Sequence, residues 1–227
     1  MNIAVILSAG SGRRFKSDVP KQFFDLNGLP IISQSLEKFE ISDFIDGIVV
    51  VTHPEYIKKV TKLTAKYKKV VAVVEGGVRR QDSVFNALKW INKNAKCSKV
   101  WVHDSARPLF SLELMKKLNE KSLTSDAVIP AVSSNDTLKK IDCGVVVATL
   151  DRSTIYRIQT PQVFSFNVLY DAYSKFSDTI DATDDAFLME RLGIKIFTVE
   201  GEANNIKLTY PLDIKIAELL INASNKL

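Results

Sequence analysis

Ile3-Ala4-Val5-Ile6-Leu7 runs straight into Ser8-Ala9-Gly10-Ser11-Gly12-Arg13-Arg14-Phe15-Lys16-Ser17-Asp18-Val19-Pro20-Lys21. An unbroken apolar run of this length reads as a strand buried on both faces of a sheet. The loop behind it packs four cations and two glycines into one turn. Glycines allow close backbone approach to a bulky anion, and exposed N–H groups with nearby Arg or Lys neutralise it. A strand ending in such a loop predicts a phosphate site at its carboxyl end. Two familiar phosphate loops are excluded. G-x-G-x-x-G fails because Phe15 stands at the third glycine, and G-x-x-x-x-G-K-[ST] fails because Phe15 again stands five residues after Gly10.

Moving outward, apolar runs alternate with helical patterns. Gly47–Thr52, Val70–Glu75, Val100–His103 and Ala127–Ala131 read as strands. Amphipathic helices are predicted over Pro30–Phe39, Pro54–Tyr67, Arg80–Lys93 and Ser111–Lys121, with Pro30 and Pro54 suited to first turns. Repeated βα alternation predicts an α/β fold: a three-layer, doubly wound, mostly parallel sheet with helices on both sides. The rhythm breaks over 133–158. There Thr137–Ile141 and Val145–Thr149 flank Asp142-Cys143-Gly144 and read as a β-hairpin. An isolated pair of strands is marginal, so this arm is expected to lean on another subunit. Helices near Asn167–Phe176 and Asp184–Leu192, a strand Lys195–Glu200 and a closing helix Pro211–Asn222 complete a single domain over 1–227.

Composition narrows the class. With 227 residues, 46% hydrophobic and 25% charged, the chain is an ordinary globular protein. A net charge of +5 favours anionic ligands. Lys58-Lys59 and Lys68-Lys69 have no interleaved aromatics, which argues against nucleic acid. Cys97 and Cys143 form no CxxC, and His53 and His103 complete no ligand set, so a reducing cytoplasm is expected. No stretch reaches the ~18 apolar residues of a membrane span.

Polar residues that packing does not require gather at strand ends. They are Gly76–Ser83 (GGVRRQDS), His103–Pro108 (HDSARP), Thr160-Pro161-Gln162 and Asn204–Thr209 (NNIKLT). Carboxyl ends of parallel strands are where wound sheets bind ligands. Together with Pro20-Lys21-Gln22-Phe23, Asp136-Thr137-Leu138-Lys139 and Thr183-Asp184-Asp185-Ala186, these segments resemble the 2-C-methyl-D-erythritol 4-phosphate cytidylyltransferases of non-mevalonate isoprenoid synthesis. The resemblance spans essentially the whole chain. Ser8, Ser105 and Val78 depart from the family's usual residues.

The resemblance implies that CTP and methylerythritol phosphate give a CDP-alcohol and pyrophosphate. Arg14, Lys21 and Lys207 would contact phosphates. Ala9, Gly10, Gly12 and Gly77, with Ser83, would hold the nucleotide, and Asp104 would approach the ribose or a Mg²⁺ ion. Arg107 and Thr160, with Thr137 and Arg152 from a partner's arm, would hold the acceptor, making a homodimer with arms exchanged across the active sites. The chemistry fits this inventory. A phosphate monoester, with a second pKa near ~6, needs no general base, whereas two polyanions need Lys, Arg and a divalent metal. Thr183-Asp184-Asp185 reads instead as an N-cap with first-turn acids, and His103 as a structural residue at a strand end. Two alternatives remain at this point: a ribitol 5-phosphate cytidylyltransferase, and a non-catalytic nucleotide-binding module.

Overall fold

The computed structural model describes residues 1–10, 15 and 19–224. Strand β1 (Asn2–Ser8) is followed by a 3-10 turn at Lys21–Phe23, the short strands β2 (Asp25–Leu26) and β3 (Leu29–Pro30), and helix α1 (Ile31–Ile41). Next come β4 (Gly47–Thr52), α2 (Ile57–Thr64), β5 (Val70–Glu75), α3 (Arg80–Asn94) and β6 (Lys99–Asp104). Then follow α4 (Leu112–Ser122), β7 (Ala127–Ser133), the hairpin β8 (Lys139–Asp142) and β9 (Val145–Thr149), and β10 (Tyr156–Ile158). The chain ends with β11 (Gln162–Ser165), α5 (Phe166–Phe176), α6 (Asp185–Arg191), β12 (Ile196–Glu200) and α7 (Pro211–Ser224).

The main sheet has the order β10-β7-β11-β6-β1-β4-β5, with β12 parallel to β7. β1 lies between β6 and β4 and is parallel to both. Its alternate residues enter different cores. Ile3, Val5 and Leu7 join Val84, Leu88, Leu169 and Tyr173 on one face, whereas Ala4 and Ile6 join Leu36, Phe39, Val60 and Leu114 on the other. Burial on both faces is why the strand reads as continuously apolar. A third, smaller cluster of Leu26, Ile31, Leu208 and Ala217 packs α7 beside the β2–β3 pair.

The expected three-layer α/β architecture is present, but the sheet is mixed. Gln162–Ser165 is a strand that the sequence did not announce, and it runs antiparallel between β6 and β7. At four residues directly after a proline, it is too short to show a period. The expected helix over Pro54–Tyr67 is instead a 3-10 turn over Pro54–Tyr56 followed by the shorter α2. Among the described residues no helix is long and apolar enough to cross a membrane.

The arm is also shorter than 133–158. Ser133 ends β7, and Tyr156–Ile158 pairs with β7 inside the main sheet. What protrudes is β8–β9, a two-stranded sheet of its own. Its turn has φ values of 45° at Cys143 and 81° at Gly144, the pair of positive angles that suits a two-residue hairpin. Every residue of both strands is exposed, including Ile141, Val145, Val146 and Val147.

Candidate active site

The carboxyl ends of β1, β4 and β6 open onto a cavity of about 640 Å³. Ser8, Ala9, Gly10 and Lys21 line it from the first loop, Gly77 and Ser83 from the β5–α3 junction, Asp104 from β6, and Lys207 from the segment before α7. Internal hydrogen bonds hold these segments together. Gln22 Nε2 donates to the Ser8 carbonyl at 3.0 Å, and Ser105 Oγ donates to the Leu7 carbonyl at 2.8 Å. Phe15 is buried and packs edge-on against Phe24, an anchor that a third glycine would not provide. Gly12 and Arg14 lie outside the described residues.

The glycines of the β5–α3 junction answer to crowding. A Cβ on Gly76 would lie 2.4 Å from Ala9 Cβ, and one on Gly77 would lie 2.3 Å from Asp82 Cβ. The Gly77 N–H donates to Ser83 Oγ at 3.0 Å, which fixes the turn onto the first helical turn of α3. At Gly10 no atom of the described residues lies within 4 Å of the built Cβ, so none of them requires glycine there. Ser8 Oγ is buried without a hydrogen-bond partner among the described residues.

The two expected lysines converge. Lys21 Nζ donates to the Leu208 carbonyl at 2.9 Å, and Lys207 Nζ donates to Asp104 Oδ2 at 2.6 Å. Asp104 Oδ1 accepts from Arg80 Nε at 3.1 Å. Burial pushes the Asp104 carboxyl up, and the charges of Arg80 and Lys207 more than reverse it, holding the group well below the usual carboxylate range. Both oxygens of Asp104 thus face cations, so it caps no helix.

A second cavity of about 400 Å³ adjoins the first and shares Arg80, Asp104 and Lys207 with it. Arg107 and Thr160 line this second space. Arg107 donates to the backbone carbonyls of Asn205 at 3.1 Å and Ile158 at 3.2 Å. Thr160 reaches the rim because β11 is antiparallel: the segment just before it lies beside the carboxyl end of β6. Its hydroxyl is already engaged, accepting from the Asp104 N–H at 3.1 Å and lying 3.1 Å from His103 Nδ1. The other ring nitrogen, Nε2, lies 3.1 Å from Ser35 Oγ, so each nitrogen of His103 has a hydroxyl partner. His103 is fully buried, as its structural reading required, and desolvation lowers its pKa to about 3, so it stays neutral.

Thr137 and Arg152 do not join the site within one chain. Both are exposed and line neither cavity; Arg152 donates to the Asn135 carbonyl at 3.2 Å. Asp184 caps α6, which begins at Asp185, and accepts from the Phe187 N–H at 3.0 Å. Asp185 does something else. It is completely buried and pairs with Arg80 Nη2 at 2.8 Å. The sequence reading passed over both Arg80 and Asp185. Only the fall of Arg80 three residues before Ser83, on the same face of α3, was available to single it out.

For a divalent ion, the described residues hold no group of three or more His, Cys, Asp or Glu side chains. The donor set is a single carboxylate beside a polyanion cavity. That suits Mg²⁺, which is commonly held by one or two carboxylates and by substrate phosphates.

The family model for 2-C-methyl-D-erythritol 4-phosphate cytidylyltransferase matches residues 2–223. The chain belongs to this family. Among proteins bearing that name, one from Lachnospira eligens is 40% identical over 228 residues, covering 97% of this chain and 99% of its own. One from Caldicellulosiruptor bescii is 41% identical over 218 residues, with 96% of each chain covered. The crystal structure of the 4-diphosphocytidyl-2C-methyl-D-erythritol synthase of Anaerococcus prevotii superposes with a TM-score of 0.86 at 31% identity, covering 97% of this chain and 98% of that one. Membership of a 2-C-methyl-D-erythritol 4-phosphate cytidylyltransferase family makes this chain a nucleotidyltransferase and favours neither the ribitol phosphate enzyme nor the non-catalytic module.

Proposed function

We propose that the protein transfers the cytidylyl group of CTP to 2-C-methyl-D-erythritol 4-phosphate, forming 4-diphosphocytidyl-2-C-methyl-D-erythritol and releasing pyrophosphate. The observation that carries this reading is the shared wall of the two cavities. Arg80, Asp104 and Lys207 stand between a larger space lined by glycine-rich loops and a smaller one lined by Arg107 and Thr160. Two phosphorylated reactants seated in these spaces would meet at that wall.

The nucleotide's base and ribose sit against Ala9, Gly10, Gly77 and Ser83, where backbone groups and a tight turn read a small pyrimidine. Gly12 and Arg14, which lie outside the described residues, are assigned to the triphosphate by the family resemblance. The acceptor phosphate, held by Arg107 and Thr160, is mostly a dianion at neutral pH, because its second pKa is near ~6. Its oxygen attacks the α-phosphorus in line, and the bond to the pyrophosphate oxygen breaks as the new one forms. No proton has to be removed. Lys21 and Lys207 stabilise the charge spread over the α-phosphate in that step, by electrostatics set in place beforehand. Asp104, the one carboxylate among the described residues that line the larger cavity, would hold a Mg²⁺ ion, which would neutralise charge on the triphosphate.

The protein acts as a cytoplasmic homodimer. Its exposed hairpin, carrying Ile141, Val145 and Val147 outward, has no core of its own. Set against a partner, it would bring Thr137 and Arg152 to that partner's acceptor cavity. Pyrophosphate release from CTP with methylerythritol phosphate or ribitol 5-phosphate, with and without a chelator, tests the reading. Turnover with the first acceptor, abolished by chelation, is expected. A preference for ribitol phosphate, or CTP binding without pyrophosphate from either acceptor, would overturn it.

A further inference from the structure

Behind the wall of the two cavities, four charges alternate in a line that runs inward to the core. Lys207 Nζ meets Asp104 at 2.6 Å, Arg80 Nε meets the other oxygen of Asp104 at 3.1 Å, and Arg80 Nη2 meets Asp185 at 2.8 Å. The line ends where the Tyr173 hydroxyl donates to Asp185 Oδ1 at 2.5 Å. Its two ends differ in exposure: the Lys207 side chain is 40% exposed, Asp104 and Arg80 between them are 13% and 27%, and Asp185 is fully buried. Two cations and two anions cancel, so the resting line is neutral.

Lys207 is the outermost charge, and an arriving phosphate competes with Asp104 for it. If nothing else held Asp104, the carboxylate would follow the lysine. Arg80 also holds Asp185, and a planar guanidinium spans two carboxylates in a fixed geometry, which a point-charge ammonium does not. We propose that Arg80, braced by Asp185 and Tyr173, is a positioning residue for the transfer reaction: it fixes the carboxylate of Asp104 in place while Lys207 exchanges Asp104 for substrate phosphate. The inference rests on the cytidylyl-transfer reading. The charged and titratable groups facing Asp104 are Arg80, Lys207, Arg107 and the neutral His103.

The test uses full-length Arg80→Lys and the double variant Arg80→Met/Asp185→Asn, which removes both inner charges together and leaves neither buried alone. With folding checked by circular dichroism, kcat is expected to fall about tenfold in the first and about a hundredfold in the second, while the KM for CTP stays within about threefold. If that variant does not fold, Tyr173→Phe keeps every charge and should lower kcat about threefold. A carboxyl-carbon NMR spectrum of Asp104 at neutral pH without substrate accompanies the kinetics, and should show one sharp resonance in the parent and a broadened one in the double variant. Absence of turnover in the parent would remove the reaction reading alone, since the spectrum still judges the clamp. Parental kcat in a folded double variant, a loss carried entirely by KM, or an equally sharp Asp104 resonance in that variant would overturn the inference.

Discussion

Lys207 Nζ lies 2.6 Å from Asp104 Oδ2, across 103 residues of sequence. The lysine comes from the segment before the last helix and the aspartate from the end of a central strand, so the pair ties the carboxy-terminal part of the chain to the rim of the sheet. Lys21 reaches the same segment through the Leu208 carbonyl at 2.9 Å. Both proposed catalytic cations thus converge on residues 207–208.

That convergence predicts how their loss will read in kinetics. Lys21→Ala and Lys207→Ala should each lower kcat by about a hundredfold or more and change the KM for CTP far less, because they serve the transition state. Steady-state kinetics with both substrates varied checks this. A loss through KM alone, with kcat unchanged, would make the lysines simple binding groups.

The exposed arm predicts complementation between subunits. Lys21→Ala damages the body of a site and Arg152→Ala damages the arm that a subunit lends. In a mixed dimer one site collects both lesions and the other collects neither. At an acceptor concentration where neither homodimer turns over measurably, random exchange of the two should therefore restore about a quarter of parental activity. Arg152→Ala by itself should raise the acceptor KM and leave CTP binding alone. Mixtures that remain as inactive as their components would place the arm outside the site.

Gly76→Ala should be costly both to the fold and to nucleotide binding. The new methyl would fall 2.4 Å from Ala9 Cβ, and the first loop has to give way. A loss of about 1–3 kcal/mol in stability is expected, with weaker CTP affinity. Chemical denaturation and calorimetric titration measure the two effects. Parental CTP affinity would mean that the loop does not grip the nucleotide.

His103 makes a prediction about acid. Its folded pKa is lowered to about 3 by burial, against an ordinary value near ~6.5, so between these values the unfolded chain binds the extra proton. Stability therefore rises with pH across that window and is lost as pH falls below ~6.5, by up to about 1.4 kcal/mol per pH unit for this group. His103→Gln should be less stable than the parent at pH 7 and should lose less than the parent between pH 7 and pH 4.5. Parallel losses in the two proteins would mean that His103 does not titrate there.

The central strands could be read from the chain because both of their faces are buried. A run such as Gly47–Thr52 has no polar position to interrupt it, and its limits in the structure match those read. The phosphate loop, the glycine pair at 76–77 and the two lysines were equally legible, since glycine and cations at strand ends serve little purpose in packing. β11 was not: four residues after a proline carry no period, and their place depends on partners 60 to 66 residues away in β6 and 35 to 37 residues away in β7. The same distance problem hid Arg80 and Asp185, whose pairing spans 105 residues. Each looks ordinary alone, one a helical arginine and the other a first-turn acid.

Local pattern thus carried the layered α/β architecture, the strand ends that line the cavity and the family, because burial on two faces and close backbone approach constrain residue type position by position. Which cation meets which carboxylate is a matter of packing across the whole molecule. Ion pairs with partners some hundred residues apart leave no spacing to read, and charge becomes selective only once the folded core has excluded water around it.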